Sequence, residues 1–173
     1  MSESLASVKS RWSPRPTSNM SMGACAQVVP KCECMSAFET STLPSEPTVV
    51  APDGSNVRVL LSLASGSMAH FELKAGVTSR AVAHRTVEEI WLVVSGRGEM
   101  WRRQGEREEV VALEPGVCLT IPLGTHFQFR ASSTESIAAV GVTMPPWPGE
   151  EEATLVSGPW QAGGDGLHPF IAR

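Results

Sequence analysis

Short apolar runs separated by turn residues are the feature of this sequence that most constrains its fold. The runs are rich in branched side chains and occupy residues 57–63, 90–94, 110–113, 117–121 and 137–143. Turn dipeptides such as Asp53-Gly54, Pro115-Gly116 and Leu123-Gly124 lie between them. Strands this short with turns at this spacing predict an all-β sandwich or barrel.

Two glycine-framed motifs lie within this β-rich region. The first places His84 and Glu89 between Gly76 and Gly96, with Val82 two residues before His84. In the second, Gly116 is followed by Pro122 and Gly124, and Phe127 stands three residues after Gly124. Because successive side chains of a strand point to opposite faces, Val82 and His84 share a face. In spacing and order the two motifs resemble those of the cupin barrels, over residues 48–145.

The resemblance implies one cupin jelly-roll barrel with a site on its inner wall. In cupins that site holds a divalent metal through two His of the first motif, its Glu, and a His of the second motif. The matching positions here are Val82, His84, Glu89 and Phe127, so two of the four donors are hydrocarbon. His84 and Glu89 could still hold iron, manganese, zinc or nickel with help from His126 or His70. The alternative is a hydrogen bond between His84 and Glu89 with no metal.

Strand alternation also predicts which side chains would contact a ligand. Those on the expected inner faces are Arg80, Val82, Trp91, Phe127 and Phe129. A mainly apolar wall with a few polar groups is typical of small-molecule sites, although small barrels can also be filled by their own side chains. Arg80 could receive a carboxylate or phosphate in a bidentate manner, or form an ion pair at the rim.

Three functions are compatible with these residues. The first is a small-molecule-binding cupin of unknown ligand without a tightly bound metal. The second is a metal-independent isomerase or epimerase, with His84 as general acid/base and Glu89 orienting it. The third is a metal-dependent oxygenase that uses a reduced ligand set. The loss of two metal donors places the third function below the other two.

The ends of the chain differ from the barrel region in composition. Residues 1–47 contain clustered Ser and Pro without a regular apolar period, which predicts a disordered extension. A start at Met35 would remove most of it, and a targeting role is the other interpretation. We therefore expect a cytoplasmic protein, or an organellar one if the extension is a transit peptide. Residues 146–173 are rich in Pro and Trp and predict a strap across the barrel, with its three Glu as a solvated face.

Charge and hydropathy limit the partners. The net charge is −4 and no basic stripe is interleaved with aromatic residues, so neither nucleic acid nor an anionic membrane surface is indicated. No apolar run approaches the roughly 20 residues of a membrane-spanning helix. The expected partner is a small-molecule ligand, and the cupin resemblance implies a homodimer.

Overall fold

The computed structural model describes residues 37–163, which form two antiparallel sheets. The expected extension therefore lies mostly outside the described residues, as does the end of the expected strap. The strands are β1 Val49–Val50, β2 Asn56–Leu63, β3 Gly66–Leu73, β4 Val82–His84, β5 Glu88–Gly96, β6 Gly98–Gln104, β7 Arg107–Leu113, β8 Cys118–Ile121, β9 His126–Ala131, β10 Ile137–Met144 and β11 Ala153–Leu155. The predicted all-β jelly roll is confirmed.

The strand order places the two halves of the first motif in different sheets. The first sheet runs β1-β2-β3-β10-β5-β8 and the second runs β11-β4-β9-β6-β7. His84 lies on β4 of the second sheet, whereas Glu89 lies on β5 of the first. The turn between them crosses from one sheet to the other, so these residues approach the interior from opposite walls.

The interior between the sheets is an apolar core centred on Trp91. Its ring stacks on Phe71 with centroids 4.8 Å apart and meets the edge of Phe129 at 5.1 Å. Offset and edge-to-face contacts of this kind are the favoured aromatic geometries. A Cβ at Gly141 would lie 2.7 Å from Cε2 of Phe71 and 3.0 Å from Nε1 of Trp91. Glycine is therefore required on β10 for the Trp91 ring to lie where it does.

The segment after β10 contributes to the second sheet and then covers its outer face. It forms a 3₁₀ turn, Glu150–Glu152, before β11 pairs with β4. Further along, the side chain of Gln128 donates to the carbonyl of Trp160 at 2.9 Å and accepts from its amide at 3.1 Å. The guanidinium of Arg130 lies 4.2 Å from the centroid of the Trp160 ring. These contacts hold the Pro/Trp-rich arm against the barrel.

The outer face of the first sheet carries an exposed apolar strip. Ile90, Leu92 and Val94 alternate along β5 and are 43%, 44% and 43% exposed. Ile90 pairs with Val142 of β10, which in turn pairs with Met68 of β3. The strip is therefore continuous across three strands, and it contrasts with the charged outer positions of the second sheet. Within residues 37–163 no helix is long and apolar enough to cross a membrane.

Candidate functional site

Four strands of the second sheet bring the motif positions into register with charged side chains. Val82 pairs with Phe127, Phe127 with Arg102, and Arg102 with Glu109. Because Val82 and Phe127 are in the core, the whole row faces the barrel interior. Two residues further along the same register lies a second inner row, which consists of His84, Thr125, Gln104 and Arg107. Polar groups therefore line the inner wall at this end of the barrel, which we call the mouth.

A cavity of about 140 Å³ opens at the mouth, and we call it the mouth cavity. Its lining residues are Arg102, Gln104, Arg107, Glu109, Thr120, Pro122 and Thr125. It lies where the edge strand β7 of the second sheet meets the edge strand β8 of the first. The site thus extends from the inner wall that carries the motif positions to the gap between the edge strands β7 and β8.

Unpartnered buried polar atoms are concentrated at the mouth. Within residues 37–163, four buried side-chain nitrogen or oxygen atoms have no hydrogen-bond partner: Nδ1 of His70, Nδ1 of His84, Nε of Arg102 and Oγ1 of Thr125. The last three lie on the two adjacent inner rows. Leaving such an atom without a partner costs about 1–3 kcal/mol, and nearly all buried polar groups in native proteins are bonded to protein or water. Two of these atoms, on Arg102 and Thr125, belong to residues that line the mouth cavity, which makes this cavity the candidate binding site.

Ion pairing fixes the guanidinium of Arg102 beside the mouth cavity. One terminal nitrogen, Nη1, donates to the carbonyl of Thr120 on β8, and the other, Nη2, donates to Oε1 of Glu109. Arg107 donates to the second oxygen of Glu109 at 3.3 Å. Hydrogen bonds from Arg107 and the nearby charge of Arg102 lower the pKa of the Glu109 carboxyl. Glu109 is therefore ionised at neutral pH and holds both guanidiniums at the mouth.

His84 is an uncharged imidazole held between aromatic rings. It is 8% exposed, and the rings of Phe127 and Trp147 meet it edge-on at 5.1 and 5.3 Å. Burial lowers the pKa of His84 to about 4, despite the opposing attraction of the Glu152 carboxylate. Trp147 is itself anchored, because its amide donates to Oγ of Ser67 at 2.9 Å. A neutral imidazole with an open Nδ1 can donate or accept a single hydrogen bond.

Glu89, on the opposite wall, is 2% exposed and accepts a hydrogen bond from Nε1 of Trp91 at 2.6 Å. Burial raises the pKa of Glu89 to about 8; the bond from Trp91 opposes this shift, and the charge of buried Asp53 adds to it. Glu89 is therefore mainly a neutral carboxylic acid at pH 7. Its partner is Trp91, and the alternative hydrogen bond between His84 and Glu89 is not formed.

The residues at the motif positions do not fit a cupin metal. Val82 and Phe127 have no donor atoms, so two of the four motif positions cannot bind a metal ion. Within residues 37–163 no group of three His, Cys, Asp or Glu side chains converges to hold an ion. His126 and His70, the additional metal ligands expected beside His84 and Glu89, do not face the site. His126 hydrogen-bonds Arg103 at 3.0 Å, and the side chains of His126 and Arg103 point to the face opposite the inner rows. His70 alternates with the core residue Phe71 and so faces outward.

The residues expected to contact a ligand fall into two groups. Val82, Trp91, Phe127 and Phe129 all belong to the buried core, with 1–2% of each exposed. Arg80 donates to the carbonyl of Pro52 at 3.0 Å and lines a separate cavity of about 250 Å³. That cavity lies beneath the C-terminal arm and shares no lining residue with the mouth cavity. The structure therefore brings the four core residues together and places Arg80 apart from His84.

Sequence reasoning missed the polar residues of the mouth and one buried carboxylate. Arg102 and Glu109 could have been found by folding the chain about Gly105, since alternation from Met100 places Arg102 inward. Glu152, expected to be solvated, is 4% exposed. It accepts hydrogen bonds from the amides of residues 85, 86 and 87 and from the hydroxyl of Thr86. Burial alone would raise the pKa of Glu152, but these bonds lower it, so the carboxylate anchors the β4–β5 turn.

No protein-family model matches the chain, and no curated protein is a significant match. Solved structures do resemble it. KdgF from Halomonas sp. has a TM-score of 0.53 at 16% identity, covering 64% of this chain and 97% of that one. A PAC13 variant from Streptomyces, solved with uridine, has a TM-score of 0.54 at 16% identity, covering 69% and 92%.

A Klebsiella pneumoniae protein with a double-stranded β-helix domain has a TM-score of 0.50 at 20% identity, covering 60% of this chain and 85% of its own. Likenesses at this level of identity show the fold alone. The barrel thus has the double-stranded β-helix fold, in agreement with the jelly roll expected from the sequence.

Proposed function

We propose that this protein binds a small polar molecule in the mouth cavity without a metal ion. The observation that carries the proposal is the pair of unpartnered atoms, Nε of Arg102 and Oγ1 of Thr125, on two residues that line this cavity. A ligand that bonds these atoms removes the cost of burying them alone. The binding energy then comes from groups that are already desolvated and held in place.

The electrostatics of the deeper wall support binding without metal. At pH 7 His84 is neutral and Glu89 is mainly protonated. The apolar rings of Phe127 and Trp147 complete the wall around His84. A ligand that extends from the mouth cavity toward His84 would meet a largely apolar surface with one imidazole hydrogen-bonding group, as in many small-molecule sites.

The experiment is a fragment screen on full-length protein freed of metal with a chelator. Amide chemical shifts report binding, and the amides of Gln104 and Thr125 should move. Thr125→Val should weaken binding about tenfold, since it removes one buried hydrogen-bond partner. The matched control is Thr134→Val, which changes a threonine in an exposed turn and should leave binding unaltered. Shifts confined to residues outside the two inner rows would contradict the proposal.

Acid/base chemistry is the second candidate, and one observation favours it. His84 is neutral with an open Nδ1, so it could accept a proton from a bound ligand. In that case His84→Gln should abolish turnover of a bound ligand and leave its affinity nearly unchanged. Loss of affinity and turnover together would assign His84 to binding alone.

A further inference from the structure

Building on the proposed function, we infer that the ligand of the mouth cavity is a small monocarboxylate. The juxtaposition that points to this class is a fixed guanidinium, a second arginine and a buried threonine hydroxyl around one small cavity. The other residues of the lining are uncharged apart from Glu109.

The charged side chains that line the mouth cavity do not balance. Arg102 and Arg107 bring two positive charges, and Glu109 brings one negative charge. The remaining lining residues, Gln104, Thr120, Pro122 and Thr125, carry none. The cavity therefore has one uncompensated positive charge, which one carboxylate would neutralise. A cation would meet the two guanidiniums, and a dianion would leave an excess negative charge beside Glu109.

Two hydrogen-bond donors at the mouth are available to a ligand. Nε of Arg102 and the hydroxyl of Thr125 have no partner within the described residues, and each can donate a proton. The two terminal nitrogens of Arg102 are already held by Thr120 and Glu109. The orientation of Nε is thus fixed before a ligand arrives, which reduces the entropy lost on binding. Hydrogen bonds from such donors to a carboxylate are charge-assisted and stronger than those to a neutral oxygen.

Volume sets the size of the ligand. The mouth cavity measures about 140 Å³, close to an engineered cavity of about 150 Å³ in another protein that accommodates benzene. The part of the ligand held there should have roughly six to eight non-hydrogen atoms. Short carboxylic acids fit within this limit, whereas a nucleotide or an oligosaccharide would have to extend beyond the cavity.

The test compares two probes of equal shape and different charge, propionate and propionamide. Each is titrated into chelator-treated full-length protein at low ionic strength, and binding is followed by the amide shifts of Gln104 and Thr125. We expect propionate to bind about tenfold more tightly. Arg107→Gln should lower the affinity for propionate about threefold, because this exposed arginine acts through screened charge. It should weaken propionamide binding less than propionate binding. Arg97→Gln, an exposed arginine that does not line the mouth cavity, is the matched control.

The outcomes separate this inference from the proposed function. Equal binding of both probes, or an equal effect of the Arg107 and Arg97 substitutions, would overturn the assignment to carboxylates and leave the mouth as a binding site. If neither probe shifts the mouth amides and the fragment screen also finds no ligand there, both the inference and the proposed function fail.

Discussion

Replacement of Glu89 by glutamine should remove a large part of the pH dependence of stability. Burial raises the pKa of Glu89 from an ordinary value of 4.5 to about 8. Between these pH values the folded protein keeps a proton that the unfolded chain has released. Stability from this group is therefore complete below pH 4.5 and is lost as pH rises toward 8.

The size of the effect follows from the shift. Each pKa unit corresponds to about 1.4 kcal/mol, so this group lowers the free energy of unfolding by about 5 kcal/mol between pH 4.5 and pH 8. Because Glu89 is 2% exposed, solvent screening reduces this figure little. In Glu89→Gln the side chain is neutral at every pH and can still accept the hydrogen bond from Trp91.

The assay is urea unfolding followed by tryptophan fluorescence at pH 5, 6, 7, 8 and 9. The wild type should lose stability relative to Glu89→Gln between pH 5 and pH 8, and the difference should level off above pH 8, where Glu89→Gln should be the more stable protein. Glu88→Gln, which changes the exposed neighbour, should follow the wild type. Parallel curves for wild type and Glu89→Gln would refute the argument, because they would show that Glu89 is ionised in the folded protein.

Three further predictions test other parts of the structure. Thr125→Val removes a hydroxyl without a partner, so the unliganded protein should be at least as stable as wild type in urea. Thr143→Val breaks a 2.6 Å hydrogen bond to the Ser67 hydroxyl and should lower the free energy of unfolding by about 1 kcal/mol. Equal losses of stability in Thr125→Val and Thr143→Val would show that the Thr125 hydroxyl is hydrogen-bonded in the folded protein. Glu152→Gln should lower the free energy of unfolding by about 2–4 kcal/mol, because it removes the carboxylate that accepts hydrogen bonds from three amides and a hydroxyl. The exposed control Glu151→Gln should change stability by less than about 0.5 kcal/mol. A small loss for both would contradict the anchoring role. For the expected homodimer, we predict pairing through the apolar strip, so Leu92→Glu should convert a dimer to a monomer in light scattering; a wild-type monomer would contradict this.

The fold could be predicted because its determinants are local in sequence. Alternation and turn residues locate the strands, and the spacing of the two motifs selects the jelly roll. The same alternation explains why Phe127 faces the core and His126 faces outward. It also predicts that His84 lies on the inner wall, since Val82 does.

The candidate site was only partly predictable, because its polar residues are brought together by pairing between distant segments. In the sequence Glu152 is one of three consecutive glutamates. The amides that hydrogen-bond to its carboxylate belong to the β4–β5 turn, more than 60 positions earlier. Arg80 follows the alternation of β4 in sequence, but the strand begins only at Val82. Arg102 became significant only when the register placed it beside Phe127.

The most direct test of the account is a crystal structure of the unmodified protein at a resolution that shows ordered water. The account predicts a bound carboxylate or ordered water within hydrogen-bonding distance of both Nε of Arg102 and Oγ1 of Thr125, with no metal at His84. A mouth in which those two atoms bond to other protein groups and side chains fill the cavity would contradict it.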